Sequence, residues 1–165
     1  MDLIAHFQNL ARYNRVANHR IYEACAQLDD TEYRKPRAGS LGSIHALLNH
    51  ILLGDRIWMQ RFESDGPTTT PPLKTILYDD FAELRDARLR EDERVEKFFA
   101  SVSAPFWDRP IAYVNSLGQP YTDPAAASVA HLFNHQTHHR GQVHVMLAQT
   151  AVAPPSLDMH RILNP

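Results

Sequence analysis

The stretch His131-Leu132-Phe133-Asn134-His135-Gln136-Thr137-His138-His139-Arg140-Gly141-Gln142 carries a dense group of the chain's ten histidines. On a helix, residues four apart lie one turn apart and about 40° apart around the axis. His135 and His139 can therefore offer two imidazole nitrogens to one divalent ion from adjacent coordination positions. His131 extends the row, so a helical wheel has to choose among the three. Val129, Leu132, Val143 and Leu147 centre the apolar side at about 60–120° from His135, and His139 sits at about +40°. His131 falls at about −40° and His138 at about −60°, nearer the rim. Gln142, at about −20°, can line the same site.

A third imidazole is available on another amphipathic segment. Ile44, Leu47, Leu48, Ile51, Trp58, Met59 and Phe62 mark a helix over about 44–62, whose stripe centres near Ile44, Ile51 and Phe62. His50 lies on the flank, with Leu47, Gly54 and Ile57, where a side chain can reach into a cleft between helices. His45 lies on the far side and is poorly placed to join it. The spacing selects His50, His135 and His139 as a metal-ligating triad. Three neutral imidazoles leave positions open for water or substrate, the pattern of a catalytic site more than a structural one. An all-nitrogen set suits Zn, Ni, Fe or Cu. Such an ion lowers the pKa of a thiol or water and polarises an electrophile. The rival pair His19 and Glu23 points about 160° away from Ile21, the middle of its helix's apolar stripe, and should face solvent. The last helix has no Glu-x-x-His pair of the kind found in di-iron bundles.

Four helices must position these groups. The first runs from about Leu3 to Leu28, with Leu3, Phe7, Leu10, Ala17, Ile21, Ala24 and Leu28 at spacings of three, four and seven. Ser43 caps the second, and the third covers about Asp80 to Ser101. The third helix's middle, Arg85 to Arg94, is dense in both charge signs and reads as a solvated face. Gly66-Pro67-Thr68-Thr69-Thr70-Pro71-Pro72 is a loop. Residues 103–123 are too long for a structureless connection, and the alternation Ile111-Ala112-Tyr113-Val114 predicts a short hairpin turning near Ser116-Leu117-Gly118. Asp123-Pro124 reads as an N-cap followed by proline at the first helical position of the last helix, which continues to about Gln149. Gly141 inside that helix is expected to permit close helix packing, and Trp58 and Trp107 to be core or loop-anchoring aromatics. The result is an all-α domain over 1–165: a four-helix bundle with two long crossover connections and a short hairpin before the last helix.

Composition narrows the function classes. The chain has 165 residues, 17 Lys+Arg against 19 Asp+Glu, and a formal net charge of −2. That balance offers no electrostatic footprint for nucleic acid or an anionic membrane. No apolar run approaches the roughly 18 residues of a spanning helix. The lone Cys25 excludes an intramolecular disulfide and a cysteine-rich zinc site. With no signal-type N-terminus, it points to a cytoplasmic protein.

The segment from His135 to Gln142, together with His50 in Leu48-Asn49-His50-Ile51-Leu52 and with Trp58, resembles the DinB/YfiT family, the damage-inducible DinB of bacilli rather than the DNA polymerase sharing that label. Tyr13-Asn14-Arg15-Val16-Ala17-Asn18 is similar to the family's Tyr-Asn-x-Trp-Ala-Asn, with Val16 replacing the usual Trp. Element order and length match over essentially the whole chain. The resemblance implies up-down-down-up topology, a homodimer, and a divalent metal, commonly Ni or Zn with Fe, Cu and Mn open, on His50, His135 and His139. It also implies a small-molecule substrate and a low-molecular-weight thiol co-substrate, such as bacillithiol or mycothiol, in S-transfer or isomerisation. The expectation is a metal-dependent enzyme activating a thiol or water toward a small electrophile. The alternative is a non-catalytic metal-binding stress-response dimer or binding module.

Overall fold

The computed structural model describes residues 2–164. Its elements are α1 (Leu3–Cys25), α2 (Asp30–Arg34), α3 (Ile44–Glu63), α4 (Phe81–Ser101), α5 (Ala104–Asp108), β1 (Pro110–Val114), β2 (Pro120–Pro124), α6 (Ala125–Leu147) and α7 (Met159–Leu163). Side-chain caps start three of the four long helices. Asp2 accepts from the Ile4 N–H at 2.9 Å, Ser43 from Ala46 at 3.1 Å and Asp80 from Glu83 at 2.9 Å, each satisfying a backbone donor that lacks an intrahelical acceptor. The fourth departs from expectation. Pro124 itself is the N-cap of α6 and makes no side-chain cap bond. Asp123 is held in β2, where its carboxylate accepts from the Tyr113 hydroxyl at 2.7 Å.

Residue pairs across the helices give their directions. Phe7 meets Phe99 and Tyr22 meets Phe81, so α1 and α4 are antiparallel. Gly54 meets His135 and Trp58 meets His131, so α3 and α6 are antiparallel. Phe7 meets Phe133 and Asn14 meets Arg140, so α1 and α6 run together. Asp55 meets Arg88 and Phe62 meets Phe98, so α3 and α4 run together as well. In chain order the four long helices therefore run up, down, down, up. Because α3 and α4 are parallel, residues 64–80 must return along the bundle.

That return is anchored. The Asn49 amide oxygen accepts from the Leu77 and Tyr78 N–H groups at 2.9 Å each, and its nitrogen donates to the Tyr78 carbonyl at 3.1 Å. Further along, the Val114 N–H donates to the Thr68 carbonyl at 2.8 Å, tying the crossover to the hairpin. In the hairpin, β1 and β2 are antiparallel, with Ala112 opposite Thr122. Gly118, at φ 79°, supplies the left-handed turn near the expected position.

Two apolar clusters fill the bundle. One is built on Ile21, Ile44, Leu48, Leu52, Leu84 and Met146, the other on Phe7, Met59, Phe62, Phe99, Val129 and Leu132. A buried polar ring crosses all four helices beside them. Asp55 pairs with Arg88 at 2.6 Å, and Arg88 with Asp92 at 3.0 Å. Asn18 donates to Asp92 at 2.9 Å, and Arg140 donates to Asn18 at 2.9 Å and Asn14 at 2.6 Å. Gln136 closes the ring by donating to Asp55 while accepting from Arg140. Two carboxylates offset two guanidiniums, as burial of charge requires. This corrects the reading of Arg85–Arg94 as a solvated face, since Arg88, Glu91 and Asp92 are all buried. Their i,i+3 and i,i+4 spacing looks the same on an exposed helix; the partner that draws Arg88 inward, Asp55, lies on α3.

Candidate metal centre

The polar ring fixes how α6 is turned. Gln136 and Arg140 point into the bundle, so the residues preceding each, His135 and His139, are carried to the edge facing α3. His50 comes to meet them from α3. One ring nitrogen from each of His50, His135 and His139 lies within 4.8 Å of the others. Ring centroids stand 5.1 Å apart for His50–His135, 4.6 Å for His50–His139 and 4.5 Å for His135–His139.

Outer hydrogen bonds orient two of the rings. The Leu73 carbonyl can only accept, so His50 Nδ1, 2.8 Å away, carries the proton and Nε2 presents its lone pair. His139 Nδ1 donates in the same way to Gln142 Oε1 at 3.2 Å, and Ser40 Oγ holds that oxygen at 2.7 Å. His135 Nε2 stands 3.2 Å from His50 Nε2, while its Nδ1 is buried without a partner. Two ligands on a tetrahedral zinc with bonds of about 2.0–2.1 Å lie about 3.3–3.4 Å apart, so the spacing of this pair fits a shared cation. Burial, reinforced by the rings of His139 and His50, holds the His135 pKa down to about 3, and burial also lowers that of His139. Both are thus neutral donors at physiological pH. The residues present fit a divalent metal.

Closeness here depends on Gly54. A Cβ added to it would lie 2.6 Å from His135 Cε1, so α3 and α6 pack against each other through a bare backbone. Gly141, expected to play that part, would meet nothing within 4 Å. It lies on the exposed side of α6, away from every packed neighbour.

The triad opens on a cavity of about 360 Å³, with walls that include Ile57, Trp58, Arg61, Thr70, Leu73, Tyr113 and His131. His131 lies against the Trp58 ring, centroids 5.1 Å apart, and 6.1 Å from the His135 ring. His138 is exposed and bonded to Gln142. His45 is buried beside Tyr33, on the other side of α3 from the triad. His19 and Glu23 face solvent, as expected. Trp58 is buried and forms part of the cavity wall. A larger groove, of about 480 Å³, runs over α1, α4 and the C-terminal residues and includes none of the triad.

The sequence places Gly54 on the flank of His50 without disclosing that it packs against His135, and it does not single out Arg61. Their signal was present: positions 50, 54, 57 and 61, at spacings of four, three and four, form one face of α3. Leu73 and Thr70 reach the site on an irregular crossover, where no periodicity exists to be read.

The sequence pattern described as DinB family matches residues 4–165 of this chain. The chain is also similar to Protein DinB of Bacillus subtilis (strain 168), 27% identical over 154 residues that cover 90% of this chain and 88% of that protein.

Proposed function

The chain belongs to the DinB family, and from that membership and the three imidazoles we propose that it is a metal-dependent enzyme acting on a small electrophile. His50, His135 and His139 would hold a divalent ion; the nitrogen-only donor set suits Zn, Ni, Fe or Cu, and the resemblance to the family favours Ni or Zn among them. When bound, such an ion lowers the pKa of a thiol or water and polarises the electrophile.

The chain's own residues do the rest. Leu73 and Gln142 keep the Nε2 lone pairs of His50 and His139 turned inward. Trp58, Ile57 and Tyr113 cover the cavity with apolar surface and limit access of water. His131, the imidazole in the cavity outside the triad, stands 6.1 Å from the His135 ring and is the cavity's candidate proton acceptor. The co-substrate is a low-molecular-weight thiol, with water the competing nucleophile. The protein acts as a cytoplasmic homodimer and takes no nucleic acid.

One observation carries this reading: three candidate ligands face an open cavity, with no fourth in their group among the described residues. That leaves positions for exchangeable groups, as in catalytic sites. The experiment is elemental analysis of tag-free protein followed by thiol-conjugation and ester-hydrolysis assays on the metal-loaded form. About one ion per chain, and turnover lost in His50→Ala, are expected. Stoichiometric metal without turnover against either substrate class would favour the non-catalytic metal-binding module.

A further inference from the structure

Arg61 is a buried guanidinium with no carboxylate paired to it among the described residues. It is 6% exposed. Two aromatic rings lie against it: the central carbon is 4.3 Å from the Trp58 ring centroid and 3.8 Å from that of Tyr113, and the two centroids are 5.5 Å apart, so the rings meet it from adjacent directions. The N–H groups of a guanidinium lie in its plane, so its hydrogen bonds are made at the edge. There one terminal nitrogen, Nη2, donates to Thr70 Oγ1 at 2.6 Å, and Nε is buried without an acceptor. Asp123, the carboxylate whose field reaches it, is engaged by the Tyr113 hydroxyl. Burial of such a group is costly unless something completes its hydrogen bonding.

Arg61 lines the same cavity as the triad, and among the described residues no Asp or Glu lines that cavity with it. We propose that Arg61 is the anion-recognising residue of this site, and that its substrate or co-substrate is a small molecule bearing a carboxylate. The planar edge of arginine matches the two oxygens of a carboxylate, and the Trp58 and Tyr113 rings packed against the guanidinium limit its orientation. Gly54 is level with the His135 ring, and Arg61 follows seven residues later on the same helix face, within roughly 10 Å along the axis. The carboxylate and the reacting atom of one molecule therefore lie within that span, with apolar atoms between them against Trp58 and Ile57. This deepens the proposed function by naming the chemistry of its ligand, and it rests on that reading of the cavity.

The test compares 3-phenylpropionate with its neutral amide, 3-phenylpropanamide, by titration calorimetry on zinc-loaded and on metal-free protein. The acid is expected to bind about tenfold or more tightly than the amide in both forms, since hydrogen bonds to charged groups contribute on that scale. Arg61→Met should remove the preference and leave zinc stoichiometry unchanged. If that variant does not fold, Arg61→Lys carries the test: it keeps the charge, loses the planar edge and should weaken the acid several-fold. Equal binding of acid and amide, no binding of the acid, or a preference surviving in Arg61→Met would overturn the proposal. A preference present with zinc and absent without it would also overturn it, because the ion would then hold the carboxylate. Failure of the chain to bind zinc would sink the metal reading alone, leaving the metal-free titration to decide on Arg61.

Discussion

Gly54 on α3 and His135 on α6 are packed so closely that a single methyl on the glycine would lie 2.6 Å from the imidazole. The position of a candidate ligand is therefore set by the absence of a side chain on the neighbouring helix. Gly54→Ala is expected to displace the His135 ring and lower zinc affinity by about ten- to a hundredfold, the scale seen when ligand orientation is disturbed. Competition with a chromophoric chelator measures this; unchanged affinity would contradict the packing argument. Gly141→Ala provides the contrast. Nothing lies within 4 Å of its added carbon, so it should raise stability by about 1 kcal/mol through helix propensity and leave zinc affinity unaffected.

Gln142 binds no metal in this scheme, yet it links Ser40 on the loop before α3 to the ring of His139. Gln142→Leu should keep the fold and weaken zinc binding by about tenfold or more. The same chelator competition, alongside thermal unfolding of the metal-free variant, separates the two effects.

Arg88 is enclosed between Asp55 and Asp92. Arg88→Met removes the cation that lies between two buried carboxylates, leaving Arg140 to reach them only through Gln136 and Asn18. A loss of about 3–5 kcal/mol in urea unfolding is expected, as for other broken buried pairs. A loss under 1 kcal/mol would mean the ring is solvated and does not hold the helices in register.

Acid should destabilise the metal-free protein through His135. Burial and the neighbouring rings hold its folded pKa down to about 3, against an ordinary value of 6.5. Between those values the unfolded chain binds the extra proton, so stability is fully present above pH 6.5 and falls as pH drops toward 3. Urea midpoints across that range should decline in the wild type and decline less steeply in His135→Leu. Parallel profiles would show that other groups dominate.

The parts of this molecule that were legible in the sequence are those governed by period. The rotation of His135 and His139 against Leu132 and Val143, and of His50 against Ile51, followed from 100° per residue. The cap at Ser43 and the hairpin turning at Gly118 followed from local chemistry. What escaped depends on partners distant in sequence. Arg88 and Asp92 look like a solvated pair until Asp55 and Asn18 are beside them. Asp123 suits a cap until Tyr113 claims its carboxylate. Gly141 and Gly54 are both helical glycines, and only the neighbouring helix tells them apart. The short helices α2 and α5, five residues each, are below the length at which periodicity can be detected.

The return passage from α3 to α4 has a consequence for how such a protein diversifies. One backbone carbonyl in it, at Leu73, steadies His50, and one hydroxyl, at Thr70, steadies Arg61. The helices that supply the histidines also supply the core, so change there is penalised twice. The passage carries little core of its own and is pinned at Asn49 and Val114. Insertions and replacements between those pins can reshape what the chamber admits while the nitrogen donors stay where the bundle holds them.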